Sequence, residues 1–199
     1  MTGVFVTGTD TDVGKTMVSA WITRSWNADY WKPIQSGTVD GFDADIIRQL
    51  APLATVFPST YNLKAPLSPH EAAAKENVVI SLDAFRLPET QRPLVVEGAG
   101  GALVPLNDRM LMADLMVVLG LPVVIVTRSG LGTINHTLLT IEALHHRGLQ
   151  IAGVIMNGPP NPPNRAAIEH YGNVPVLAEL PYLPTIEALA VHPPLEWKA

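Results

Sequence analysis

Short runs of Val, Ile and Leu recur along the chain, separated by longer stretches in which apolar residues return every three or four positions. The runs predict strands at Val4–Thr7, Leu94–Glu97, Val123–Thr127 and Ile151–Met156, with weaker ones at Tyr30–Lys32 and Val176–Ala178. Their unbroken apolar character predicts burial on both faces. The helical period covers Lys15–Trp26, Asp43–Leu50, Leu111–Leu119, Ile134–Arg147 and Arg165–Tyr171. Strand and helix therefore alternate, which predicts an α/β fold with a mostly parallel central sheet and helices on both faces. Ligands of such sheets bind beyond the C-terminal ends of the strands, so the residues just after each run carry the candidate chemistry.

Composition narrows this picture. The 199 residues suit a single domain spanning 1–199. Hydrophobic residues make up 47% and charged residues 16%, a globular and rather apolar chain with surface to spare for an oligomer interface. A net charge of -5 without basic runs argues against nucleic acid as a partner. The apolar stretch near 110–126 is broken by Asp114, Gly120 and Pro122, so no segment reaches the ~20 residues a membrane span needs. No leader is recognisable and there is no cysteine, which removes thiolate metal sites and fits a cytoplasmic enzyme.

The first predicted strand runs into "GTDTDVGKT", Gly8 to Thr16, and then into the first helix. A glycine-rich turn between strand and helix, ending in Gly-Lys-Thr, predicts a P-loop: backbone amides around phosphates, Lys15 on the terminal ones, the Thr16 hydroxyl on Mg²⁺. Five residues separate Gly8 from Gly14, one more than usual, so either Thr9 takes the first glycine's place or the loop is a longer variant. Asp10 and Asp12 are unexpected beside phosphates. They imply a metal, a cationic second substrate or both, unless Asp12 only faces solvent.

Two further clusters fall at strand ends. "YWKPIQSG" places Lys32 at the end of a short strand as a candidate phosphate or oxyanion clamp, followed by a polar turn with Gln35, Ser36 and Gly37. Downstream, Asp43 is either a helix N-cap or a metal ligand. "LVVEGAGG" ends a strand on Glu97, where a carboxylate holds Mg²⁺ in P-loop enzymes, and the glycines after it let backbone approach a ligand or simply turn the chain.

Together, "GTDTDVGKT", "YWKPIQSG", "SPHEAA" (Ser68 to Ala73), "VVEGAGG", "GLGTINHTLLT" (Gly130 to Thr140) and "AGVIMN" (Ala152 to Asn157) resemble the dethiobiotin synthetase family in order and spacing, from Thr7 to about Tyr182. The resemblance implies a P-loop NTPase-like fold, a homodimer with its site at the interface, and ATP- and Mg²⁺-dependent closure of a cyclic urea on 7,8-diaminononanoate with CO₂. A carbamate and then a carbamic-phosphoric anhydride are the intermediates it implies.

Residue by residue, it makes Lys15 and Lys32 the cations flanking the transferring phosphoryl group, and Thr16, Asp43 and Glu97 the Mg²⁺ ligands. Thr11, Asp12 and Ser36 line the meeting place of diamine and phosphates. Gly8, Thr9, Asp10, Val13, Gly14 and Met17 complete the nucleotide loop, Asn157 matches the adenine-reading position, and Pro181, Tyr182 and Leu183 lie where the base packs. Gly132, Thr133, Ile134 and Asn135 offer amides to the substrate carboxylate from the partner subunit.

Position 12 is Asp where the pattern often has Glu, and the tail after Leu183 matches little, which leaves nucleotide preference open. A rival reading is a switch ATPase of the partitioning or septum-site type. Those carry an early loop lysine where this chain has Asp10. Of the remaining features, "GPPNPPN" (Gly158 to Asn164) reads as a loop because four prolines oppose helix and sheet. Met110, Met112 and Met116 read as helix core, His145 and His146 as a helix end, and Trp21 and Trp26 as packing of the first helix on the sheet.

Overall fold

A computed structural model describes residues 2–39 and 41–197. Its centre is a seven-stranded sheet in the order β4-β2-β6-β1-β7-β8-β9, with every adjacent pair parallel. The strands are β1 (Gly3–Gly8), β2 (Asp29–Trp31), β4 (Val56–Phe57), β6 (Leu94–Gly101), β7 (Val123–Arg128), β8 (Ile151–Asn157) and β9 (Val176–Leu180). A small parallel pair, β3 (Ile34–Ser36) with β5 (Tyr61–Leu63), stands beside them. The helices are α1 (Lys15–Trp26), α2 (Asp43–Leu50), α3 (Pro69–Lys75), α4 (Met112–Leu119), α5 (Thr133–His145), α6 (Pro162–Gly172) and α7 (Ala188–Val191).

Side chains alternate along β1. Val4 and Val6 enter one core with Val18 and Ile22 of α1, whereas Phe5 enters the other with Met112, Leu115 and Met116 of α4. Both faces of β1 are covered, and all six of its residues are buried, as a parallel sheet under two helical layers requires. Removing a fully buried ring such as Phe5 would cost about 3–5 kcal/mol. Because β1 lies between β6 and β7, the chain's topology opens crevices beside the C-terminal end of β1.

Several expectations are corrected here. Glu97 does not end its strand: β6 continues through the glycines to Gly101, and Glu97 is paired with Val6. Gln35 and Ser36 form β3, held by β5, and are not a turn. Asp43 is the first residue of α2, with Phe42 at the N-cap, so its carboxylate is free to point elsewhere. The proline-rich segment is not all loop: Pro162 and Pro163 open α6, where a missing N–H has no intrahelical acceptor, and the Asn161 side chain accepts from Asn164 N.

Candidate active site

The phosphate loop is shaped by backbone conformation. Asp12 (φ 55°) and Gly14 (φ 92°) both lie in the left-handed region, the alternation by which successive amides can be turned to one side. Gly14 has no alternative, since a Cβ there would come 2.0 Å from Nδ2 of Asn157, which donates to Val13 O at 3.0 Å. A Cβ on Gly8 would fall 2.7 Å from Asp10 O. Lys15 Nζ donates to that same carbonyl at 3.0 Å. Burial lowers the Lys15 pKa, and Lys32 pushes in the same direction, while Glu97, Asp43 and Asp12 oppose them.

Sequence-distant residues meet just beyond this loop. Thr16 Oγ1 donates towards Asp43 Oδ1 (2.6 Å) and Glu97 Oε1 (3.0 Å). Lys32 Nζ donates to Asp43 Oδ2 (2.5 Å) and Glu97 Oε1 (2.9 Å). Tyr30 gives its hydroxyl to Glu97 Oε2 at 3.0 Å, so the fully buried Glu97 has a partner on each oxygen. Burial alone would lower the Lys32 pKa, but the Glu97 and Asp43 charges outweigh it and hold it raised. Burial would likewise raise Asp43, and the Lys32 charge and hydrogen bond bring it below the ordinary carboxylate value. Tyr30, desolvated and facing Glu97, is held well above its ordinary value and stays protonated.

This donor set fits a hard divalent cation. A hydroxyl and two carboxylates offer oxygen only, and Mg²⁺ characteristically takes one or two carboxylates, keeping its other positions for water and phosphate oxygens. Among the described residues, no three His, Cys, Asp or Glu side chains group as an all-protein metal cage. The Lys32 ammonium stands in for part of the positive charge that the two carboxylates call for.

Two clefts flank the loop. The first, about 380 Å³, is lined by Thr9, Asp10 and Thr11, by Gly101–Pro105 and by His136, Leu139, Thr140 and Ala143. The second, about 410 Å³, is lined by Met17, Asn157 and residues 180–186. The structure thus brings Asn157, Met17, Pro181, Tyr182 and Leu183 to one cleft. Thr11 and Asp12 lie exposed on the loop's rim. Ser36 ends β3 with its hydroxyl oxygen buried and, among the described residues, without a hydrogen-bond partner. Gly132 caps α5 in the left-handed region and Thr133 turns inward, while Asn135 is exposed. Among the described residues, no hydrogen bond ties Gly132, Thr133, Ile134 or Asn135 to the Lys32–carboxylate cluster of the same chain.

Arg128 escaped the sequence reading, and Asp10 and Gln35 make contacts that it did not assign to them. Arg128, ending β7 beside the loop, donates to Thr11 O at 3.1 Å and lies 3.7 Å from Asp10 Oδ2. Asp10 also accepts from Thr11 N at 2.7 Å, so one loop aspartate serves the loop itself. Gln35 spans Ser36 O (2.8 Å) and Asp43 N (3.4 Å), tying β3 to the start of α2. The available signal was positional: Arg128 follows an apolar run at the sheet edge where ligands bind.

Comparison with known proteins places this geometry. A family model described as an AAA domain matches residues 2–190. The ATP-dependent dethiobiotin synthetase BioD of Paramagnetospirillum magneticum is 59% identical over 96% of this chain and 93% of its own length. That of Novosphingobium aromaticivorans is 50% identical over 96% and 93%. Among solved structures, a ParA family ATPase from Chlorobium tepidum is similar in fold, with a TM-score of 0.61 at 12% identity over 96% of this chain and 90% of the other. The septum site-determining protein MinD of Pyrococcus horikoshii, complexed with Mg-ADP, scores 0.61 at 16% identity over 96% and 86%. At these identities the two structures establish a P-loop NTPase-like fold and nothing further.

Proposed function

The chain belongs to the family of ATP-dependent dethiobiotin synthetases, ligases of biotin biosynthesis, and from that premise we propose how its residues carry the reaction. The substrates are ATP, CO₂ and 7,8-diaminononanoate. One amine attacks CO₂ to give a carbamate and release a proton. A carbamate oxygen attacks the γ-phosphorus, ADP leaves, and the second amine then attacks the carbonyl carbon, expelling phosphate, losing a proton and closing the urea.

The observation that carries this reading is the meeting of Lys15, Thr16, Lys32, Asp43 and Glu97 at the end of the phosphate loop. Lys15 and Lys32 hold the phosphoryl and carbamate oxygens, positioning and neutralising charge where phosphoryl transfer needs it. Thr16, Asp43 and Glu97 would hold Mg²⁺, which when bound neutralises phosphate charge. The second cleft takes the adenine against Met17, Asn157 and Pro181–Leu183, with Gly8, Thr9, Asp10, Val13 and Gly14 around the phosphates. The first cleft, with Leu103, Val104 and Leu139 on its wall, suits the methylene chain of the diamine, whose amines meet Thr11, Asp12 and Ser36.

Leu103 and Leu139 line that cleft yet are about half exposed, and Leu131 stands fully in solvent before α5. Such apolar exposure supports a homodimer in which Gly132–Asn135 of one subunit meet the other's substrate carboxylate. The protein acts as one domain in the cytoplasm; no helix of the described residues is long and apolar enough to cross a membrane. The switch-ATPase alternative retains only the likeness of fold.

The test is incorporation of labelled bicarbonate into an acid-stable product with protein, Mg²⁺, ATP and the diamine. Carbamates lose their label in acid, and a cyclic urea keeps it. Stable label requiring both ATP and diamine is the expected outcome; ATP hydrolysis indifferent to diamine, with no label, would refute the reading.

A further inference from the structure

The tail after Leu183 is fastened to the C-terminal half of α1. Trp21 Nε1 donates to Pro193 O at 2.8 Å and Trp26 Nε1 to Trp197 O at 2.6 Å. Arg24 spreads its guanidinium over Ala190 O and His192 O, and Leu195 N donates to Ser25 Oγ at 2.8 Å. Two ring contacts reinforce these bonds, Trp21 with His192 (5.4 Å) and Trp26 with Trp197 (5.2 Å). Leu189 and Leu195 are buried in the same core as α1. The two tryptophans, expected to pack α1 on the sheet, thus spend their N–H groups on the tail.

The local sequence explains the fastening. Pro193 and Pro194 lack an N–H, so this stretch cannot join a ladder and its carbonyls need outside donors. The single turn of α7 leaves its last carbonyls open, and Arg24 takes them.

The strap begins where the second cleft ends. Residues 181–186, which wall that cleft, form no strand or helix and hang between β9 and the strap. Met17 on the opposite wall precedes Trp21 by one helical turn, so cleft and strap share a face of α1. At the far side, Gln49 of α2 donates to Glu187 Oε1 at 2.8 Å.

We propose that residues 187–197 are a specificity-determining strap: docked on α1, they fix the 181–186 wall of the second cleft and so set affinity for, and selection among, nucleoside triphosphates. This rests on the second cleft being the base site. Loosening the strap lets the wall move away from the base without touching the phosphate loop.

Two full-assay variants test it: Trp21→Phe with Arg24→Met, which keeps apolar bulk and removes donors, and a chain ending at Glu187. Hydrogen exchange of 181–197 reports docking in the first. The expected result is faster exchange there, a KM for ATP raised about tenfold, and a several-fold loss of preference for ATP over CTP. The kcat at saturating ATP and the KM for diamine should stay within about twofold. Retention of the wild-type ATP KM and ATP-to-CTP ratio by either folded variant would overturn the proposal, as would a strap still fully protected in the double variant. Thr185→Trp, which fills the cleft with the strap docked, separates the two readings. If it leaves the ATP KM unchanged, the base site itself is misplaced.

Discussion

The hydroxyl of Thr16 stands 3.0 Å from Oε1 of Glu97, although 81 residues separate them, because α1 starts where β1 ends and β6 runs beside β1. A bond between these two oxygens needs the Thr16 proton, and a cation between them would replace it with two lone pairs directed at one point. Glu97→Gln keeps the shape and an acceptor for Lys32 while halving the carboxylate charge at that point. The Mg²⁺ concentration for half-maximal activity should rise about tenfold or more, with the fold retained. An unchanged metal titration would remove Glu97 from the ligand set.

Lys15 is a buried ammonium whose one hydrogen-bond partner among the described residues is a neutral carbonyl, and burial depresses its pKa. Its charge is therefore held at a cost; Glu97, Asp43 and Asp12 offset only part of that cost, and a bound anion relieves the rest. Lys15→Gln should melt no lower than wild type, and somewhat higher without nucleotide, while kcat falls at least about 100-fold. Near-wild-type turnover would refute the phosphate assignment, and a large loss of stability would refute the account of burial.

How legible this site was depended on how local its cause is. Lys15 and Thr16 could be read directly, because a strand, a glycine turn and a helix start are all written in one stretch. The seven-stranded frame was largely legible for a similar reason: strands buried on both faces leave continuous apolar runs. β3, β4 and β5 left no such signal, being two or three residues long and flanked by Pro33 and Pro58. The start of α6 was missed because prolines that break a helix interior are suited to its first turn. Gln35, Arg128 and Tyr30 matter through neighbours that only the topology supplies.

Asp43 provides a pH signature in the nucleotide- and metal-free protein. Its pKa in the fold lies below the ordinary 3.8; burial would raise it, and the Lys32 charge more than offsets that. A depressed carboxylate stabilises the fold fully above its unfolded value and loses that contribution as pH falls through the folded one. Lys32 has the opposite sign: its raised pKa makes its contribution complete below 10.5 and lost only as pH climbs through the higher folded value. Wild type should therefore be more stable than Asp43→Asn by a constant margin at neutral pH, and the margin should close on acidification below about pH 4. Urea unfolding across that range reads it directly. A margin that persists in strong acid would show that Asp43 stabilises by packing and not by charge.

Thr127 is the hub of a buried hydroxyl chain joining the phosphate loop to α5. It accepts from Thr9 Oγ1 (3.4 Å) and Thr137 Oγ1 (2.9 Å), and its own proton goes to Thr133 Oγ1 (2.7 Å), which in turn donates to Arg128 O (2.5 Å). One donor and two acceptor sites of the Thr127 hydroxyl are thereby all used. Thr127→Val preserves volume and strand preference but leaves the Thr137 hydroxyl without its acceptor in the core. The cost should be about 1–3 kcal/mol in urea unfolding, and Thr127→Ser, which restores the hydroxyl at the loss of one methyl, should recover most of it. Because Thr9 belongs to the loop, the valine variant should also raise the KM for ATP several-fold where the serine variant does not. A valine variant as stable as wild type would show that the chain of hydroxyls is incidental to holding loop and helix together.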